Sequence, residues 1–230
     1  MEIKIINYIF SLFADLSFVK DNLGEFKQVF KEYSFQEKQE MLNNKESYPV
    51  YFFIYKNEII EIHRYRVNYI FNFAKENTKE DFLNGLARVV EKLTFIKDVV
   101  GFRIALNSSH FVPNEYNQSV NRLNKVFNAY NLFDENSTEF QIRLNHIHRL
   151  FDNEDFNSIL IVRDGEVTEN VTKEKHNVII INTDINTVIS KKDMRFSIKN
   201  ALFYTEKMLE ESTKRVNTIV EAIDDKKMIQ

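Results

Sequence analysis

Apolar residues recur along this chain with two periods, and the points where one gives way to the other mark its elements. Lys4 to Phe18 mixes β-branched and aromatic side chains and predicts a long edge or near-edge strand; Leu23, Phe26, Phe30 and Tyr33 then recur at helical spacing. Beyond Pro49, two apolar runs, Val50 to Tyr55 and Ile59 to Phe73, flank Lys56-Asn57-Glu58, which has the length and chemistry of a hairpin turn. In the second run Tyr65, Val67, Tyr69, Phe71 and Phe73 share one face, while Arg64, Arg66, Asn68 and Asn72 share the other. The two prolines, Pro49 and Pro113, stand where one periodicity replaces another and read as punctuation.

Thr78 with Asp81 three residues on predicts an N-cap, and Phe82, Leu86, Val89, Val90 and Leu93 form the apolar stripe of the helix that follows. Val99 to Leu106 returns to strand alternation, and Asn107-Ser108-Ser109 is expected to open a loop. Tyr116, Val120, Leu123, Phe127 and Tyr130 predict another amphipathic helix; Phe140, Ile142 and Leu144 then alternate with polar residues as in a strand. Asn157 to Val162 and Asn177 to Asn182 complete a meander, with Arg163-Asp164-Gly165-Glu166 as its hairpin turn. Last, Ile198, Leu202, Thr205, Leu209, Ser212, Val216, Ile219 and Ile223 alternate spacings of four and three, predicting one long helix. Two of those eight seam positions are polar, which fits packing across a sheet better than a strict coiled coil.

These elements predict an α+β fold of antiparallel sheets, each covered by amphipathic helices, with a long C-terminal helix. The pattern divides into an N-terminal half, 1–113, and a C-terminal half, 114–230, expected to form one compact unit. Each half holds a few strands and a covering helix, which suggests structural duplication, although no self-similarity or short-period repeat is visible.

Composition narrows the function. With 43% hydrophobic and 13% aromatic residues, 230 residues suffice for a substantial core. Lys and Arg number 31 against 34 Asp and Glu, and a net charge of -3 supplies no global attraction for nucleic acid or an anionic membrane. No cysteine is present, which excludes disulfides, thiolate zinc sites and a cysteine nucleophile, and points to a reducing compartment. The apolar N-terminal stretch is interrupted by Lys4, Asn7 and Asp15, so it reads as neither signal peptide nor membrane span, and a cytoplasmic location is expected. Abundant Asn, Lys, Ile and Phe suggest an AT-rich prokaryotic or phage genome.

Candidate chemistry is sparse. His146-Ile147-His148 on a strand would place two imidazoles on one face about 7 Å apart, a spacing that metal sites use. His63, His110, Asp152, Glu154 and Asp155 could complete such a site, but their spacing brings none of them to the pair. The same face carries Phe140, Ile142 and Leu144, which favours strand-end histidines satisfied by neighbours. Asp152, Glu154, Asp155, Asp164 and Glu166 form an acidic cluster of the kind nuclease metal sites use, but no Glu-x-Lys strand accompanies them, and a solvated turn is the expected reading. Arg64, Arg66, Asn68 and Asn72 form a polar face that suits phosphate or a partner chain, as it suits plain solvent. The four glycines are isolated, so no phosphate-cradling loop can be drawn, and no nucleophile elbow or His-Glu-x-x-His occurs.

Three segments carry a resemblance. Tyr8-Ile9-Phe10-Ser11-Leu12-Phe13-Ala14-Asp15-Leu16-Ser17-Phe18 resembles the opening strand of SecB-like chaperones. Val100-Gly101-Phe102-Arg103-Ile104-Ala105-Leu106-Asn107 is similar to a strand of a larger, uncharacterised, sporadically distributed bacterial α+β family. Val178-Ile179-Ile180-Ile181-Asn182-Thr183-Asp184-Ile185-Asn186, leading into the long helix, is the third. The resemblance implies antiparallel sheets backed by long helices, in proteins that bind other proteins and often travel with mobile or defence loci. It supplies no catalytic residues.

The expectation is therefore a non-catalytic interaction or accessory protein of a bacterium or phage, linked to a defence, counter-defence or toxin–antitoxin locus. Another protein is its expected partner; no cofactor and no membrane enter, and the oligomeric state is open. Tyr and Phe richness supports it, since aromatics anchor interfaces. The alternative is a metal-dependent nuclease using His146 and His148, or a nucleic-acid-binding module using Arg64 and Arg66.

Overall fold

The structure is a computed structural model that describes residues 2–41, 46–113, 119–127, 139–151, 154–168, 174–188 and 193–224. Its strands are β1 (Lys4–Phe13), β2 (Ser34–Met41), β3 (Ser47–Tyr55), β4 (Glu58–Ile62), β5 (Val67–Asn72), β6 (Val100–Gly101), β7 (Arg103–Pro113), β8 (Gln141–Phe151), β9 (Glu154–Thr168), β10 (Lys175–Thr187) and β11 (Phe196–Ser197). The helices are α1 (Phe18–Asp21), α2 (Leu23–Val29), α3 (Lys79–Ile96), α4 (Ser119–Val126) and α5 (Ala201–Asp224), the last entered through a 3-10 turn at Ile198–Asn200. The fold is α+β: among the described residues nine strands form one antiparallel sheet in the order β2-β3-β4-β5-β1-β7-β10-β9-β8. β6 and β11 make a small ribbon beside it. No helix among the described residues is long and apolar enough to cross a membrane.

The same order of events occurs twice. β1 leads through α1 and α2 into the meander β2 to β5, whose last strand returns beside β1 before α3; β7 leads through α4 into the meander β8 to β10, whose last strand returns beside β7 before α5. β1 and β7 pair in the middle, so one sheet runs through both sets. A cut after Pro113 falls at the end of β7, which pairs with β1 on one side and β10 on the other.

Alternation decides which face the helices cover. Tyr8, Phe10 and Leu12 of β1, Tyr69 and Phe71 of β5, Ile60 and Ile62 of β4, Ile104 and Leu106 of β7, and Ile181 and Ile185 of β10 are all buried. Each fully buried aliphatic or aromatic side chain contributes about 1.5–3 kcal/mol relative to exposure. Two apolar clusters result. One lies under α2 and α3 and takes Tyr204, Met208 and Leu209 from the first half of α5; the other lies under α4 and takes Val216, Ile219, Val220 and Ile223 from its second half. Between them stands Ser212, which with Ser108 of β7 and Thr183 of β10 closes a triangle of hydroxyl hydrogen bonds of 2.7, 2.8 and 2.8 Å. His110 Nε2 joins Ser108 at 2.9 Å. Most buried hydroxyls are hydrogen-bonded, and here three bond one another.

Several expectations change. β1 is central, with β5 and β7 on either side, because both its faces bear residues the sheet can bury. The run from Ile59 to Phe73 is two strands, β4 and β5, joined by a tight turn in which His63 N–H donates to Arg66 O at 2.8 Å. Pro49 lies within β3 and Pro113 ends β7. Asn107-Ser108-Ser109 forms the middle of β7, with Ser108 in the hydroxyl triangle. Asp164-Gly165 lies inside the continuous strand β9, with no positive φ at the glycine. The Thr78–Asp81 capping box and the long α5 stand as read. Of the predicted 116–130 helix only Ser119–Val126 falls within the described residues; Tyr116 and Tyr130 lie outside them.

Candidate functional site

The face of the sheet away from the helices carries Asn7, Ile9, Ser11 and Phe13 of β1, with Asn68 and Asn72 of β5 and Arg103 and Asn107 of β7. Its middle is a hydrogen-bonded polar belt. Ser11 Oγ donates to Asn68 Oδ1 at 2.9 Å and Asn68 Nδ2 to Glu61 Oε2 at 2.9 Å; further along, Arg103 Nη2 and Asn157 Nδ2 donate to Asn186 Oδ1, whose Nδ2 donates to Asp184.

At one end of this face the β4–β5 turn builds a corner. Phe13, Glu40, His63, Arg64, Tyr65 and Arg66 line an open recess of about 210 Å³. The corner is fixed to the end of β1 by Ala14 N–H to Tyr65 O at 3.2 Å and Leu16 N–H to Arg64 O at 2.7 Å, which places Phe13 level with Arg66. Arg103, opposite Phe13 on β7, lays its guanidinium 4.8 Å from that ring's centre, and Arg64 lies against Tyr65 and Tyr48 at 5.1 and 5.7 Å. His63 is held between carboxylates: Glu40 lies 2.9 Å from Nδ1 and Glu61 3.6 Å from Nε2. Glu61, the less exposed of the two, and then Glu40 raise the imidazole above the ordinary histidine range, against the burial that lowers it. Arg66 Nη2 adds a 3.3 Å contact to Nε2.

The structure thus brings Arg64 and Arg66 together and separates Asn68 and Asn72 from them. Asn68 is buried with its amide committed to Ser11 and Glu61, and Asn72 stands at the far end of β5. His63, Tyr65 and Phe13 join the arginines instead; only the neighbourhood of His63 in sequence pointed that way.

His146 and His148 do share a face of β8, with ring centroids 5.2 Å apart and planes 24° from parallel. His148 Nε2 lies 3.6 Å from Glu211 on α5, and burial lowers its pKa in spite of that carboxylate. Among the described residues no three His, Asp or Glu side chains gather where one ion would reach them. His110 is under α5, Glu154 holds Arg195 at 2.9 and 3.1 Å, and Asp155 faces Arg149 at 3.9 Å. Asp164 Oδ1 accepts from Phe140 N–H at 2.6 Å and Glu166 pairs with Lys175 at 2.7 Å, so this acidic stretch is spread along a strand, not gathered in a turn. Asp152 lies outside the described residues.

β8 itself has no strand on its outer side among the described residues. Leu144 and Ile147, on opposite faces, are 44% and 60% exposed.

No protein-family model, no curated protein and no solved structure matches this chain.

Proposed function

We propose that this chain is a non-catalytic protein-interaction module whose β8 edge accepts an extended segment of a partner protein. The observation that carries the reading is a sheet edge 11 residues long with large apolar side chains exposed on both faces, a template for strand addition. The other edge is guarded: β2 presents Gln36, Glu37, Lys38, Gln39 and Glu40 in succession, a mixture of charge that discourages pairing. β8 has no acidic residue, while Arg143, His146, His148 and Arg149 lie along it. A second copy of β8 would set like charges against one another, whereas an acidic partner strand meets them favourably.

A fluorescein-labelled peptide of alternating Glu and Val, with its Lys-for-Glu counterpart, tests this by anisotropy on titration with the whole chain. The acidic peptide should bind, weaken with salt, and lose about tenfold or more in affinity to the Arg143→Glu/Arg149→Glu variant. Hydrogen exchange should slow at alternate amides of β8. Equal binding of both peptides would remove the acidic partner; no saturable binding, or binding without slower exchange in β8, would remove strand addition.

A further inference from the structure

The corner at the other end of the molecule is a separate place with different chemistry. We propose that the recess lined by Arg66, Arg64, His63 and Phe13, whose ring is backed by Arg103, is a binding site for an oxyanion, the group shared by phosphates and carboxylates.

The first argument is charge left over. Glu40 is committed to His63 Nδ1, and Glu61 to Asn68 and the other side of the same ring. Arg64 reaches Glu46 only at 3.5 Å, and that carboxylate is 64% exposed. Among the described residues neither Arg66 nor Arg103 has a carboxylate within 4.0 Å; Arg66 touches His63, and Arg103 donates to the neutral amide of Asn186. Arg66, whose charge is felt by Glu61 without an ion pair between them, and Arg64, whose contact to Glu46 is long, keep N–H groups to offer, and planar N–H forks are matched best by planar or tetrahedral oxyanions.

Rigidity is the second argument. The Nε atoms of Arg64, Arg66 and Arg103 are all sealed from solvent without a hydrogen-bond partner. Arg64 packs against two tyrosines, and Arg103 backs the Phe13 ring. Cations fixed before the ligand arrives lose less conformational freedom on binding it. The recess of about 210 Å³ is open to solvent and takes a group the size of a phosphate or carboxylate. Glu40, which also lines it, sets a limit: a highly charged ligand meets repulsion there, so a singly or doubly charged group fits better.

Inorganic phosphate and acetate, titrated separately into the whole chain and followed through arginine side-chain NMR resonances, provide the test. Saturable shifts at Arg64 and Arg66 with either anion are expected, with Kd of about 1 mM or tighter for the better one. Phosphate alone would identify a phosphoryl group as the natural ligand, and acetate alone a carboxylate. Arg66→Gln and Arg64→Gln should each weaken binding about tenfold or more, and Arg66→Lys, which keeps charge but loses the fork, should weaken it as well. Lys207→Gln on the exposed face of α5 should leave it unchanged. The wild-type titration decides the matter even if a variant fails to fold: no saturable shift with either anion overturns the site, as does binding that survives both glutamine variants.

Discussion

Gly85 lies inside α3 where the helix crosses Tyr69, and a Cβ there would collide with the Tyr69 hydroxyl and come within 3.0 Å of its Cζ. Alanine favours a helix interior over glycine by about 1 kcal/mol, but overpacking a filled core costs about 1–3 kcal/mol. Gly85→Ala should therefore lower stability by up to about 2 kcal/mol in urea denaturation. The buried Tyr69 hydroxyl sits beside the Glu58 carboxylate, and Tyr69→Phe, which removes it, should relieve most of the Gly85→Ala penalty. Unchanged penalty in the double variant would rule out the collision as its cause. Gly165 follows the same logic: the Ile180 side chain occupies the space its Cβ would need, so the glycine answers to packing across β9 and β10, not to a turn. An Asp-Gly pair carries both meanings in sequence, and only the neighbouring strand distinguishes them.

For the elements, α5 is anchored by chemistry as well as by grease. Removing one hydroxyl of the Ser108–Thr183–Ser212 triangle leaves two buried oxygens with fewer partners, so Ser212→Ala should cost about 1–3 kcal/mol. Adding Thr183→Val, which keeps volume and removes a second oxygen, should make the pair cost less than the sum of the two single changes. A double-mutant cycle by chemical denaturation would read this, and strict additivity would contradict it. Ser212 was legible as a polar position in the seam of α5, but its partners were not. Asn107-Ser108-Ser109 has the composition of a loop, and only β10 alongside reveals it as the middle of a strand. β2 went unread for a related reason: an edge strand polar on both faces has no period-2 signal. The alternation gave the facing correctly from Val67 to Asn72, yet Arg64, Tyr65 and Arg66, which carry it on in sequence, lie in the turn, and no glycine or proline marks that turn. The candidate site suffered most, since Phe13 comes level with Arg66 only through strand register between distant parts of the chain.

At the scale of the whole molecule, acid should be felt first at His110. Burial holds its pKa down to about 4 from 6.5. Between those values the unfolded chain takes up a proton that the folded chain refuses, so stability falls as pH drops from 6.5 and the full loss is about 3 kcal/mol. His63 works in the other direction: its raised pKa adds stability that is complete below 6.5 and lost as pH rises through its folded value. Asp15 and Glu61, both lowered, lose their contribution only in the carboxylate range, so the His110 slope is best measured from pH 6.5 down to about 5. His148, also lowered by burial, adds to the slope in the same direction, so His110→Gln should make it shallower without abolishing it, and an unaltered slope would assign the acid sensitivity elsewhere.

The hydroxyl triangle also limits how the molecule can move. A shift of α5 along its axis by one turn would bring Leu209 or Val216 over Ser108 and Thr183, setting hydrocarbon against oxygens that need partners. The helix thus has a single stopping point, like a bolt with one notch. Sliding it by a turn would strip the buried hydroxyls of their partners.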